Sequence, residues 1–82
     1  MNASPVSLAA IGRRQRVRVV AVTGDDDLAR RLGEQGLWPG VAVELVTSAP
    51  GGDPRLFVLH GYRLALRCDE AARVLVEPVE TP

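Results

Sequence analysis

The 82-residue chain predicts a mostly β domain, a small barrel of five short strands with one α-helix inserted between the first two. Three observations carry that expectation. Five apolar or alternating runs of six or seven residues have the length of ordinary strands. Glycine or proline stands at three of the four corners between them. Only "DLARRLGEQG" shows the i,i+4 apolar spacing of a helix. Short strands with such corners suit a closed or half-closed barrel of the SH3-like kind.

The first strand is "RVRVVAV", Arg16 to Val22. Val17 and Val19 face one way and Arg16 and Arg18 the other, as in a half-buried strand. Gly24 to Asp27 stop it and supply N-cap candidates, since an aspartate accepts from free amide N–H groups at a helix start. The helix spans about residues 26–36. Leu28 and Leu32 share a face, and Gly36 can take the left-handed conformation that ends it. In "WPG", Pro39 and Gly40 form a type II turn. "VAVELVT" is the second strand, with Val41, Val43 and Leu45 on one face. "RLFVLH" is the third and "GYRLALR" the fourth, separated from the second by "SAPGGDP" and from each other at Gly61. "DEAA" reads as a turn or a single helical turn, and "RVLVEP" as the last strand, stopped by Pro78. The expected domain is 8–78, with 1–7 and 79–82 as frayed ends.

Composition restricts the function. Ten basic and ten acidic residues give a net charge of zero, which argues against a dedicated nucleic-acid binder. No apolar run approaches the roughly 20 residues that span a bilayer. The N-terminus has no basic region ahead of an apolar stretch, so it does not read as a signal peptide. The single cysteine excludes an internal disulfide. The expected location is the cytoplasm.

Catalytic chemistry finds little support. His60 and Cys68 are the only residues of their kind, with no serine, histidine and aspartate pattern around them. As metal ligands they are weak candidates. One His and one Cys fall short of a structural zinc site, which leaves at most weak or intermolecular transition-metal binding with Asp69 and Glu70. The glycines of "APGGDP" invite a phosphate. However, the chain has no lysine, no helix follows the loop, and Asp53 would repel the anion. The loop, Pro50, Gly51, Gly52 and Asp53 included, reads as a connection between strands. Arg13, Arg14, Arg16 and Arg18 form the one charge cluster. It reads as a solvated strand face, with RNA, anionic lipid or an acidic partner as alternatives.

With these residues laid out, the chain resembles the FeoA family, small cytoplasmic proteins associated with bacterial ferrous iron transport. The resemblance rests on "LARRLGEQGLWPG" at 28–40, "APGGDP" at 49–54 and "GYRLALRCDEAARVLV" at 61–76, in that order. In the last segment Gly61, Leu64, Leu66, Arg67, Glu70 and Ala71 fall at the family's positions. The chain departs from the pattern where the family often has Pro-Gly-Glu, reading Arg13-Arg14-Gln15 instead. The resemblance implies an SH3-like barrel, no enzymatic activity, no cofactor, and association with the FeoB-type transporter on its cytoplasmic side. Any link to the membrane would run through that transporter. The barrel also looks like the C-terminal domain of DtxR-type repressors. No winged helix precedes it, so a complete repressor is not expected.

The expected function is therefore an accessory role in ferrous iron uptake by protein–protein contact. Leu37, Trp38, Pro39 and Gly40 are the expected contact surface, with Pro50, Gly51, Gly52 and Asp53 nearby. A rigid Pro-Gly turn presents a side chain at low ordering cost. The alternatives are a nucleic-acid module using the arginine cluster, without stable nucleic-acid binding in the leading reading, and a metal-responsive or metal-bridged barrel.

Overall fold

The computed structural model describes residues 4–79. Residues 1–3 and 80–82, parts of the expected frayed ends, lie outside the described residues. Six strands form one antiparallel sheet in the order β1-β6-β2-β3-β4-β5. They are β1 (Val6–Ser7), β2 (Arg16–Val22), β3 (Ala42–Ser48), β4 (Arg55–Leu59), β5 (Tyr62–Leu66) and β6 (Val74–Pro78). Helix α1 (Asp27–Glu34) lies between β2 and β3, and the single-turn α2 (Cys68–Ala71) between β5 and β6.

The five expected strands are present, together with a sixth. Val6 and Ser7 pair with Val76 and Leu75, within the stretch expected to be a frayed end. A 3-10 turn, Leu8–Ala10, follows, capped by the Ser7 side chain accepting from Ala9 N–H. Leu8 then enters the core, fully buried. A two-residue strand carries no readable alternation, so pairing with β6 and burial of Leu8 define it, not local pattern.

The sheet curls because its ladders are interrupted. Register shifts fall between Val19 and Ala21 in β2 and between Leu45 and Thr47 in β3. An extra residue at each point bends the strand and lets the sheet wrap on itself. Val17, Val19, Val43, Leu45, Phe57, Leu59, Leu66, Val74 and Val76 fill the interior. Arg16 and Arg18 stay outside, as the alternation of β2 requires.

Helix α1 closes part of this core with Leu32, and Leu28 packs at its margin. Its N-cap is Asp26, which accepts from Ala29 N–H. Arg73, immediately before β6, donates to both oxygens of Asp26 at 2.6 and 3.3 Å and to the Thr23 carbonyl. One guanidinium thus fastens the helix start to the last strand. This Arg73 contact, with the Ala29 N–H, holds the Asp26 carboxyl below the usual carboxylate range. Arg31 of α1 reaches Glu70 of α2 at 3.1 Å.

Arg55 is a second fastener, on β4. Its guanidinium donates to the carbonyls of Leu8, Ala9 and Ile11, the last at 2.5 Å, and stands 6.0 Å from the Phe57 ring centroid. It takes up carbonyls that the 3-10 turn leaves without partners.

Candidate functional site

β3 separates two ends of the barrel. It is seven residues long, about 23 Å of extended chain. The Trp38–Pro39–Gly40 turn leads into its start, and Pro50 to Asp53 leave its finish. The two groups of expected contact residues therefore lie at opposite ends of the domain and form no single surface. The expectation that they adjoin is corrected.

At the first end, Gly36 ends α1 with φ 100° and Gly40 takes φ 93°, as a type II turn requires at that position. Leu37 between them is not a contact residue. It is 2% exposed, within the core, and its N–H donates to Leu32 C=O. The apolar residue after a C-cap glycine folds back on its helix, which leaves Trp38 as the exposed large apolar side chain of this turn. Trp38 is 56% exposed, and Pro39 and Gly40 are exposed beside it.

The β4–β5 hairpin brings two more rings to this end. His60 and Gly61 form its two-residue turn, both with positive φ (52° and 78°), the requirement of a type I′ turn. The His60 ring lies 5.8 Å from Trp38, tilted 59°, and 6.2 Å from Tyr62, nearly parallel at 14°. His60 Nε2 lies 3.3 Å from the Gly36 carbonyl, and Tyr62 Oη donates to the Gln35 carbonyl. The carbonyls of Gln35 and Gly36, just past the end of α1, are thereby held by two rings from the hairpin. A Cβ on Gly36 would stand 2.9 Å from Tyr62 Oη and 3.1 Å from the His60 ring, so glycine is needed there for closeness as well as for φ. Sequence reading missed Tyr62 and gave His60 only to metal. The signal was present, because a two-residue hairpin at His60–Gly61 must sit level with the start of β3.

The surface is aromatic and open. A shallow depression of about 170 Å³ adjoins it, lined by Arg16, Ala42, Glu44, Val58, His60 and Gly61. Arg16 lies 3.8 Å from Glu44, and Arg18 donates to the Gly40 carbonyl at 3.4 Å. Half of the arginine cluster is thus engaged with its own sheet.

The second end is internally satisfied. Asp53 accepts from Cys68 N–H at 3.1 Å, and the Cys68 thiol donates to the Gly52 carbonyl at 3.3 Å. Glu70 accepts from Arg67 N–H at 2.8 Å. The glycine loop docks onto the start of α2, which gives Asp53 a structural task. Gly51 and Gly52 both have positive φ, so the loop depends on their freedom.

His60 and Cys68 lie just beyond opposite ends of β5, whose five residues alone span about 16 Å. One chain cannot bring both to one ion, so a site using them both requires two copies. Among the described residues no group of three His, Cys, Asp or Glu is placed to hold a metal. No helix among them is long and apolar enough to cross a membrane.

The FeoA domain family model matches residues 6–78. Among curated proteins, none matches this chain. Among solved structures, a FeoA-like protein from Clostridium acetobutylicum is 28% identical with a TM-score of 0.88, over 98% of this chain and 93% of that one. The FeoA of Stenotrophomonas maltophilia, complexed with zinc and described as an SH3 domain protein, is 36% identical with a TM-score of 0.79, over 88% and 89%. A manganese-dependent transcriptional repressor in complex with manganese has a TM-score of 0.84 at 12% identity, over 96% of this chain and 39% of that one, a likeness of fold alone. From the family match across nearly its whole length and the barrel it shares with these proteins, the chain belongs to the FeoA domain family.

Proposed function

We propose that this chain is a non-enzymatic accessory protein of ferrous iron uptake. It acts in the cytoplasm by contact with a FeoB-type transporter, and Trp38 is the central contact. The family supports the iron transport role, and a role as a ferrous iron transport activating factor has been suggested for the Stenotrophomonas maltophilia relative. The observation that carries the contact is the half-exposed Trp38 ring. It stands 5.8 Å from the His60 ring, itself stacked on Tyr62. An aromatic side chain held before binding loses little entropy on docking, and such residues dominate interface energies.

The experiment is a pull-down of the full-length cognate transporter, in each nucleotide state, with the wild-type chain and with Trp38→Ala. Capture by the wild type and about tenfold weaker capture by Trp38→Ala is the expected result. Capture by neither, or equally by both, contradicts the reading.

A further inference from the structure

β5 is the last strand of the sheet, and no strand lies beside its outer edge among the described residues. The hairpin fixes which of its backbone groups point outward. Leu59 and Tyr62 flank a two-residue turn and form a hydrogen-bonded pair, so Phe57–Leu64 and Arg55–Leu66 are hydrogen-bonded as well. Arg63 and Ala65, opposite Val58 and Leu56, turn their N–H and C=O groups away from β4. No backbone hydrogen bond reaches these groups among the described residues. Both residues are exposed.

The side chains say what could lie there. Arg63, Ala65 and Arg67 alternate onto the outer face, while Leu64 and Leu66 turn inward. Arg67 keeps extended backbone (φ −65°, ψ 154°) up to the start of α2. Arg16, Arg30, Arg31 and Arg73 have ion-pair partners, whereas Arg63 and Arg67 have none among the described residues. The edge thus presents two uncompensated cations four residues apart, with a small side chain between them.

We infer that the β5 edge accepts an acidic, extended segment of another protein as an added strand. Its main chain bonds Arg63 and Ala65, and its carboxylates lie against Arg63 and Arg67. Opposite residues share a face, so the fitting pattern is acidic, any, small, any, acidic. A second copy fits poorly, because antiparallel β5 pairing centred on Ala65 sets Arg63 against Arg67 at both ends. Nucleic acid and lipid offer no amide ladder to the outward groups. The arginines that keep the edge from pairing with itself select an acidic strand. This surface is separate from Trp38 and stands or falls independently of it.

The test is an NMR titration of the full chain with the peptide Ac-TVEVSVEVT-NH2 and with its counterpart carrying lysine at both glutamates. The acidic peptide is expected to shift the Arg63 and Ala65 amides and slow their exchange. The lysine peptide is expected to bind at least about tenfold more weakly. Ala65→Pro removes one outward N–H at an edge position where proline is tolerated, and loses the binding. The double variant Arg63→Glu, Arg67→Glu reverses the peptide preference, and decides the matter if Ala65→Pro does not fold. Equal binding of both peptides, shifts confined to other strands, or unchanged preference in the double variant overturns the inference. So does a dimer in sedimentation whose Arg63 and Ala65 amides are already protected without peptide.

Discussion

Replacing Arg55 by methionine keeps an unbranched stem against Phe57 and removes the guanidinium. Three carbonyls, of Leu8, Ala9 and Ile11, then lose their donor. The Leu8 contact is long, at 3.4 Å, which leaves two strong bonds. Hydrogen bonds from charged donors contribute roughly 1.5–3 kcal/mol each. Arg55 is only half-buried, so water can reach part of the gap, and the lower end applies: a loss of about 3 kcal/mol. An 82-residue domain has a total stability of roughly 4–12 kcal/mol. The Tm should fall by about 12–24 °C. Arg55→Lys places one point charge where a planar fork reached several carbonyls, and should recover about half of the loss. Thermal unfolding by circular dichroism, at low and at 1 M salt, measures this. The acceptors are neutral, so the difference should persist in salt. A fall of less than about 4 °C for Arg55→Met, or a lysine variant as stable as the wild type, would refute the assignment of Arg55 as the fastener of the Leu8–Ala10 turn.

Further predictions concern single features. Leu37→Ala should destabilise by about 2–5 kcal/mol and Trp38→Ala by less than about 1, since one is core and the other surface; urea unfolding separates them. Asp26 has a lowered pKa in the fold, so its contribution is complete above the ordinary carboxylate value and is lost as pH falls through the lower folded value. Asp26→Asn should flatten that acid limb in urea titrations at stepped pH. Arg14 has φ 64°, at the position where the family pattern has glycine, and Arg14→Gly should raise stability by up to about 1 kcal/mol in the same assay. Calorimetry with zinc or ferrous ion should give no tight 1:1 binding, because His60 and Cys68 stand apart; any metal-linked mass change should be dimeric and abolished by His60→Ala.

Much of the fold was legible because its signals are local. The alternation of Val17 and Val19 placed β2, the aspartates placed the start of α1, and Gly36 and the Pro39–Gly40 pair placed its end and the turn. What stayed hidden depends on residues distant in sequence. β1 exists because β6 is there to pair with it. Leu37 follows the C-cap glycine, where an apolar residue packs back on its helix, yet it was also expected in the contact surface, and its burial takes it out. The role of Arg55 carries no local signal, because its acceptors lie more than forty residues earlier. The candidate site was half legible. Trp38 was found from its turn, but His60 and Tyr62 join it only through the hairpin register. The "APGGDP" loop belongs elsewhere because β3 carries the chain across the domain before the loop begins.

The proposed docking on a FeoB-type transporter uses one end of the barrel, with Trp38 foremost. The most direct measurement is binding of Trp38→Ala to the full-length transporter, beside an unfolding curve for the same variant. If that end docks, the variant keeps a Tm close to that of the wild type and binds about tenfold more weakly. Wild-type binding by a folded Trp38→Ala chain would contradict it.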